Sequence, residues 1–267
     1  MIKTKSPSLV EDFHKYFDIH LADTPAKLES VYAMRYRVYC EEFGFEPPEA
    51  YPDKLEKDEF DTRSSHALVT HNATGGAAGC ARLVRVDEQS QLPVEKYCAG
   101  VLDEAIIRSF DGKRDTICEF SRLGVDSAFR RRPGEGQSLF GEVASIDCSK
   151  REERTFSLIA VAAILSGLAM SDMLGRPHCF AMMEAFLPRL LRRSGLIVHP
   201  AGDAIEYHGL RTPYYFESQN LVSGATDEFQ EFYADIHSSL NKTSTLSPDT
   251  QLPSASADLG GAPLVGL

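Results

Sequence analysis

The sequence predicts a mixed layer structure of the α/β or α+β class. Three features carry that expectation: a capped helix near residue 24, two strands joined by a Gly-rich turn, and an apolar helix lying between strands in the second half. Taken in order, Thr24 is a natural helix cap and Pro25 suits a first turn. Leu28, Val31, Tyr32, Val38 and Tyr39 then recur at helical spacing. Residues 45–51, with Pro47, Pro48 and Pro52, read as a loop. Residues 65–71 and 77–86 read as strands around a turn at 72–76. Residues 117–125 form a further strand, followed by a polar, charged stretch over 126–154. Residues 156–170 are apolar apart from Ser157, Ser166 and Gly167, and read as a helix buried on all sides. A short strand over 179–183 comes next, then a helix over 185–194 stopped by Gly195. Strands at 196–199 and 204–208 close the sheet. From about Asn241 the composition turns to Ser, Thr, Pro, Gly and Ala. The expected organisation is one domain over 1–240 and a disordered tail over 241–267.

Composition narrows the function. The 267 residues carry 28 Lys and Arg against 39 Asp and Glu, a net charge of −11. Nucleic-acid binding is not expected, because a grip on phosphates needs clustered positive charge. The six cysteines stand at 40, 80, 98, 118, 148 and 179, never in a Cys-x-x-Cys pair, so no metal site or redox motif is expected. Small buried thiols suit a reducing cytoplasm. The first residues hold no apolar core of a signal peptide, and 156–170 is shorter than the roughly 20 residues of a transmembrane helix.

Charged residues inside apolar segments point to chemistry. Arg35 falls on the apolar stripe of the first helix, where a guanidinium is either paired around a cavity or snorkels to water. Arg82 interrupts one strand, and Glu119 and Arg122 interrupt another. Simple alternation puts Glu119 and Ser121 on one face with Leu123, and Arg122 on the other. A β-bulge changes that assignment. With Glu56, Asp58 and Asp61 these make three arginines and four carboxylates able to line a polar cavity for a small zwitterion or amine.

The pattern Arg35-x-x-x-Tyr39, Phe45, Glu56-x-Asp58-x-Phe60-Asp61, Cys80-x-Arg82-Leu83 and Glu119-x-Ser121-Arg122-x-x-Val125-Asp126 resembles the autoinducer (acyl-homoserine-lactone) synthases. Leu191-Arg192-Arg193-Ser194-Gly195 is similar to a late segment of that family. Tyr39 and Phe45 stand where that family has Phe and Trp, and the stretch over 126–155 is long. Tyr36-Arg37-Val38-Tyr39-Cys40-Glu41-Glu42 and His208-Gly209-Leu210-Arg211 look more like the N-acyl amino acid synthases, above all the PEP-CTERM/exosortase system-associated acyltransferases. The resemblance implies a GNAT-like mixed, twisted sheet with helices on both faces and a central splay that admits an acyl donor. Arg131-Arg132-Pro133-Gly134-Glu135-Gly136 fits the GNAT pyrophosphate pattern on paper. However, Glu135 has the wrong charge beside a phosphate, and the next periodic helix starts far downstream.

The resemblance implies an N-acyltransferase that moves a fatty acyl group from a thioester to the amine of an amino acid or related molecule. It needs no tightly bound cofactor, and acyl carrier protein or coenzyme A brings the acyl group. Glu119 is the candidate base, or else a salt-bridge partner for Arg82 or Arg35. Ser121 and backbone N–H groups would hold the oxyanion. Arg35, Tyr39, Phe45, Glu56, Asp58, Asp61 and Arg82 would shape the acceptor site, and Ser121 with Arg122 would touch the pantetheine arm. Arg130, Arg131, Arg132, Lys150, Arg151, Arg189, Arg192 and Arg193 are basic islands suited to docking the acidic carrier protein. The 156–170 helix with Phe180, Met182 and Met183 would line the acyl pocket. Lactone synthesis from S-adenosylmethionine and non-catalytic acyl binding are the alternatives.

Overall fold

The computed structural model describes residues 8–129, 155, 157–193, 195–243 and 246. Helix α1 (Leu9–His14) and strand β1 (Phe17–Leu21) come first. Both precede the capped helix that begins near residue 24. Phe17, Ile19 and Leu21 alternate inward, a period-2 signal in a run too short to stand out. Helix α2 (Pro25–Arg35) is capped as expected, its Thr24 hydroxyl accepting from the Lys27 N–H. It does not continue as one α-helix to Tyr39. At Tyr36 it widens into a π-helix over Tyr36–Glu42, which buries Val38, Tyr39 and Cys40.

Strands β2 (Ser64–His71), β3 (Ala77–Arg85) and β4 (Ile117–Val125) follow, with short helices α3 (Pro93–Tyr97) and α4 (Glu104–Arg108) before β4. Helix α5 (Ser157–Met173) is then followed by β5 (His178–Glu184), α6 (Leu187–Arg193), β6 (His199–Pro200), β7 (Ile205–Glu206), β8 (Leu210–Glu217), α7 (Ser218–Gly224) and α8 (Asp227–Thr243). The expected strands at 196–199 and 204–208 shrink to two residues each. The larger β8 runs antiparallel to β5 along its whole length. Pro213 within β8 hides it from pattern reading, since proline weakens a strand assignment. Helix α8 places Phe232, Ile236 and Leu240 at fourfold spacing, all fully buried, against α5.

The sheet order is β1-β2-β3-β4-β5-β8-β6, with β7 also on β8. Among the described strands only β4 and β5 pair in parallel. Their pairing stops at Phe120 and Ala181, yet β4 continues to Val125 and β5 to Glu184. Beyond that point the two strands part, and the sheet is open at its centre. Helix α5 lies across β2, β3 and β4 with Ile159, Ala162, Leu165, Leu168 and Ala169 buried. Gly167 lets it approach closely: a Cβ there would sit 2.2 Å from the Phe120 ring. Among the described residues no helix is long and apolar enough to cross a membrane.

Candidate active site

Three segments bring the charged residues together. The end of α2 supplies Arg35, the loop before β2 supplies Glu56, Asp58 and Asp61, and β3 with β4 supply Arg82, Ser121 and Arg122. Arg35 is fully buried. Its Nε donates to Glu56 Oε2 at 2.5 Å, and its two Nη atoms donate side by side to Asp61 at 2.6 and 3.0 Å. Arg82 donates from Nη1 to Asp58 at 2.5 Å and Asp61 at 3.0 Å, and from Nε to Ser121 Oγ at 2.9 Å. Arg35 is therefore paired in the interior, and the snorkelling alternative fails.

Arg122 overturns the simple alternation. The β3–β4 register shifts between Cys80 and Arg82, so two β4 residues oppose one on β3. Arg122 takes a left-handed conformation there, with φ +48°. The bulge turns its guanidinium to the side of Arg82 and Ser121. Arg122 Nε donates to Glu56 Oε1 at 3.1 Å, and Nη2 donates to Glu46 at 3.0 Å and approaches Asp58 Oδ2 at 3.2 Å. A strained backbone at a non-glycine residue persists only when its surroundings hold it, and such positions gather at functional sites. His208, also left-handed at φ +53°, lines the same cavity.

Electrostatics in this network are mutually reinforcing. Burial opposes each charge, but the pairing outweighs it. Glu56 is held down at about 2 by Arg122 and Arg35. Asp61 lies well below the usual carboxylate range beside Arg35 and Arg82. Arg35, facing Glu56 and Asp61, and Arg122, facing Glu56 and Asp58, are raised well above the ordinary guanidinium value.

Glu119 behaves oppositely. It is buried on β4, opposite Val84, and its Oε2 accepts from the Val94 N–H in the first turn of α3 at 2.6 Å. It has no salt bridge of its own among the described residues, so neither Arg82 nor Arg35 is its partner. Burial pushes it up to about 8, against the pull of the Val94 N–H and the Arg82 charge. At neutral pH it is mostly a neutral acid.

Glu119, Ser121, Arg82, Arg122, Tyr39, Tyr97, Tyr207, His208 and Arg211 line one wall of a cavity of about 110 Å³, room for several water molecules. The opposite wall is apolar, with Ile164 and Leu168 of α5, Met182 and Met183 of β5, and Leu187 and Leu191 of α6. The cavity sits where β4 and β5 part. Phe180, expected in this lining, instead packs against Phe110 and Tyr215 in a separate core, which Met182 also touches. Phe45 is not among the lining residues; its ring stacks on Phe43 and is tilted against His208. Glu46, Tyr97, Tyr207, His208 and Arg211 were not singled out as site residues from the sequence. The His208–Arg211 segment drew notice there only as part of a resemblance.

Arg192 and Arg193 are exposed at the end of α6, and Arg189 is exposed on its middle turn. Arg130, Arg131, Arg132, Lys150 and Arg151, and the pattern Arg131–Gly136, lie outside the described residues.

An open, twisted sheet with one parted parallel pair, and a cavity at the parting, is a GNAT-like fold. Residues 34–137 match the model of the acetyltransferase (GNAT) domain family. The chain carries an acyltransferase domain of GNAT-like fold. No curated protein matches it in sequence. Among solved structures it is similar to TofI in a ternary complex with an inhibitor and MTA, at 19% identity over 78% of this chain and 95% of that one, with a TM-score of 0.51. It is also similar to BjaI, a CoA-dependent acyl-homoserine lactone synthase with SAM and isopentyl-CoA, at 16% identity, 82% and 89% coverage and a TM-score of 0.52. FeeM, an N-acyl amino acid synthase from uncultured soil microbes, aligns at 10% identity, 78% and 94% coverage and a TM-score of 0.51.

Proposed function

We propose that the protein moves a fatty acyl group from a thioester, on acyl carrier protein or coenzyme A, to the amine of an amino acid or related small molecule. The observation that supports this most directly is Glu119. It is a buried carboxyl titrating near the operating pH, on a cavity wall that faces an apolar channel between parted strands. An amine attacks a thioester only as the neutral base, and a group with a pKa of about 8 is suited to removing the proton. The acceptor's nitrogen forms a bond to the thioester carbon, the C–S bond breaks, and the proton passes through Glu119 while thiol departs. Ser121 accepts from Arg82, which leaves its own hydroxyl proton free to donate to the oxyanion. Direct attack by the amine needs no cysteine nucleophile. Burial holds the thiols of Cys40, Cys80 and Cys98 up at about 12.

Arg192 and Arg193 lie on the helix whose Leu187 and Leu191 line the cavity, so a carrier protein docked there would sit beside the acyl entrance. The test is incubation of the purified protein with a palmitoyl thioester and a pool of amino acids. Acceptor-dependent thiol release and an N-acyl product are expected. Glu119→Gln should lower kcat roughly 10²- to 10³-fold and remove a limb of the pH profile near 8. Thiol release that ignores the acceptor sinks the reading. Methylthioadenosine release from S-adenosylmethionine would instead favour lactone synthesis, the chemistry of BjaI.

A further inference from the structure

Three arginines line the cavity, and two of them are saturated. Arg82 is held by Asp58, Asp61 and Ser121, and Arg122 by Glu46, Glu56 and Asp58. Arg211, at the start of β8, differs. Its Nε and Nη2 are both buried and have no hydrogen-bond acceptor among the described residues. Glu184, its register partner on β5, comes only to 3.7 Å of Nη2, and the guanidinium lies over the Phe45 ring at 5.5 Å. Glu184 therefore balances some of the charge without occupying the donors.

Buried donors without partners are costly, so their persistence at a cavity wall calls for a ligand. The two unpartnered atoms are the ones that matter for recognition. Nε–H and the neighbouring Nη2–H lie parallel along one edge of the guanidinium, spaced to meet the two oxygens of a carboxylate. The Phe45 ring behind the guanidinium fixes its plane.

We infer that Arg211 is a specificity-determining residue that binds the carboxylate of the acceptor, so that the protein acylates α-amino acids and rejects amines lacking that group. The inference rests on the acyltransfer reading above and adds the feature by which the acceptor is recognised. An anionic phosphate on the donor's pantetheine arm offers similar oxygens, and the experiment separates the two sources.

Each common amino acid and its carboxamide are offered as acceptors, with palmitoyl-CoA and with palmitoyl-pantetheine, which lacks the phosphate. The wild type should favour acid over amide by about 100-fold in kcat/KM. Arg211→Gln should bring that ratio to within a few-fold, chiefly through a higher KM for the acid acceptor. Arg211→Lys, which keeps the charge and loses the fork, should fall between and guards against misfolding. Equal use of amide by the wild type, or a preference surviving Arg211→Gln, overturns the inference. A penalty that appears only with the phosphate-bearing donor also overturns it and assigns Arg211 to that phosphate. If no acceptor is acylated, the acyltransfer reading fails by itself, and calorimetry then decides on Arg211. Amino-acid binding that is lost in Arg211→Gln supports the inference; binding that is absent or equal in both proteins rejects it.

Discussion

The two walls of the cavity are built on different physics. On the β3–β4 side, the lining residues Arg82 and Arg122, and Arg35 at the end of α2 in the network that backs them, are each held by two or three directional contacts, and Glu56 and Asp61 are shared between arginines. On the α5–β5 side, Ile164, Leu168, Met182 and Met183 offer contacts without direction. The first wall can discriminate between polar groups because moving any member leaves a buried charge unmatched. The second can only measure length and bulk. A site so divided suits a substrate pair in which one partner is small and polar and the other is a chain.

The sharpest way to break the contrast is Arg35→Ala. It leaves Glu56 and Asp61 short of a cation in an interior position. Removing one partner of a buried pair costs about 3–5 kcal/mol. Arg122 and Arg82 still reach the two carboxylates, which places the expected loss near the lower end. Urea unfolding measures it, with Arg192→Ala, an exposed charge, as the control expected within about 0.5 kcal/mol. A loss for Arg35→Ala no larger than the control's would mean the polar wall is not held by its pairing.

A second contrast lies within the polar wall, between its ionised carboxylates and neutral Glu119. Glu56 titrates at about 2 in the folded state and near 4.5 when free. Its contribution is complete above the free value and disappears as pH falls toward 2. Glu119 runs the other way, free at 4.5 and folded at about 8. The folded state holds the extra proton between those values, so stability falls as pH rises through that window, by roughly 3 kcal/mol from pH 5 to 8. Glu119→Gln keeps an acceptor for the Val94 N–H and cannot ionise. Its stability should be nearly level between pH 5 and 8 while the loss in acid remains. Parallel wild-type and variant melting curves across that range would remove Glu119 from the role of perturbed acid.

Much of this was readable in the sequence, for reasons that differ by residue. The hairpin of β2 and β3, strand β4 and the apolar helix α5 announce themselves through turn chemistry and periodicity. Arg35, Arg82 and Glu119 stand out because charges inside apolar segments need partners. The face of Arg122 was not readable, since one bulge residue reverses the alternation and nothing in Ser121-Arg122-Leu123 marks it. Arg211 stayed hidden for a related reason. Pro213 masks its strand, and only β5 alongside β8 places it at the cavity. Helix α8 could have been found from Phe232, Ile236 and Leu240.

The mildest test addresses the apolar wall alone. Ile164 lines the cavity from α5 and is only partly buried in the packed core. Ile164→Phe adds bulk toward the channel, where it meets open volume more than neighbouring side chains, so the stability change should stay below about 1.5 kcal/mol. If the channel holds the acyl tail, the ring displaces its far end. Each methylene kept from burial costs about 0.8 kcal/mol, roughly a factor of four in kcat/KM. Excluding two of them should cost long-chain donors roughly 15-fold and leave short-chain donors and the acceptor KM unchanged. A uniform loss across all chain lengths would show instead that α5 supports the polar wall, and that the two sides of the cavity are not energetically separate.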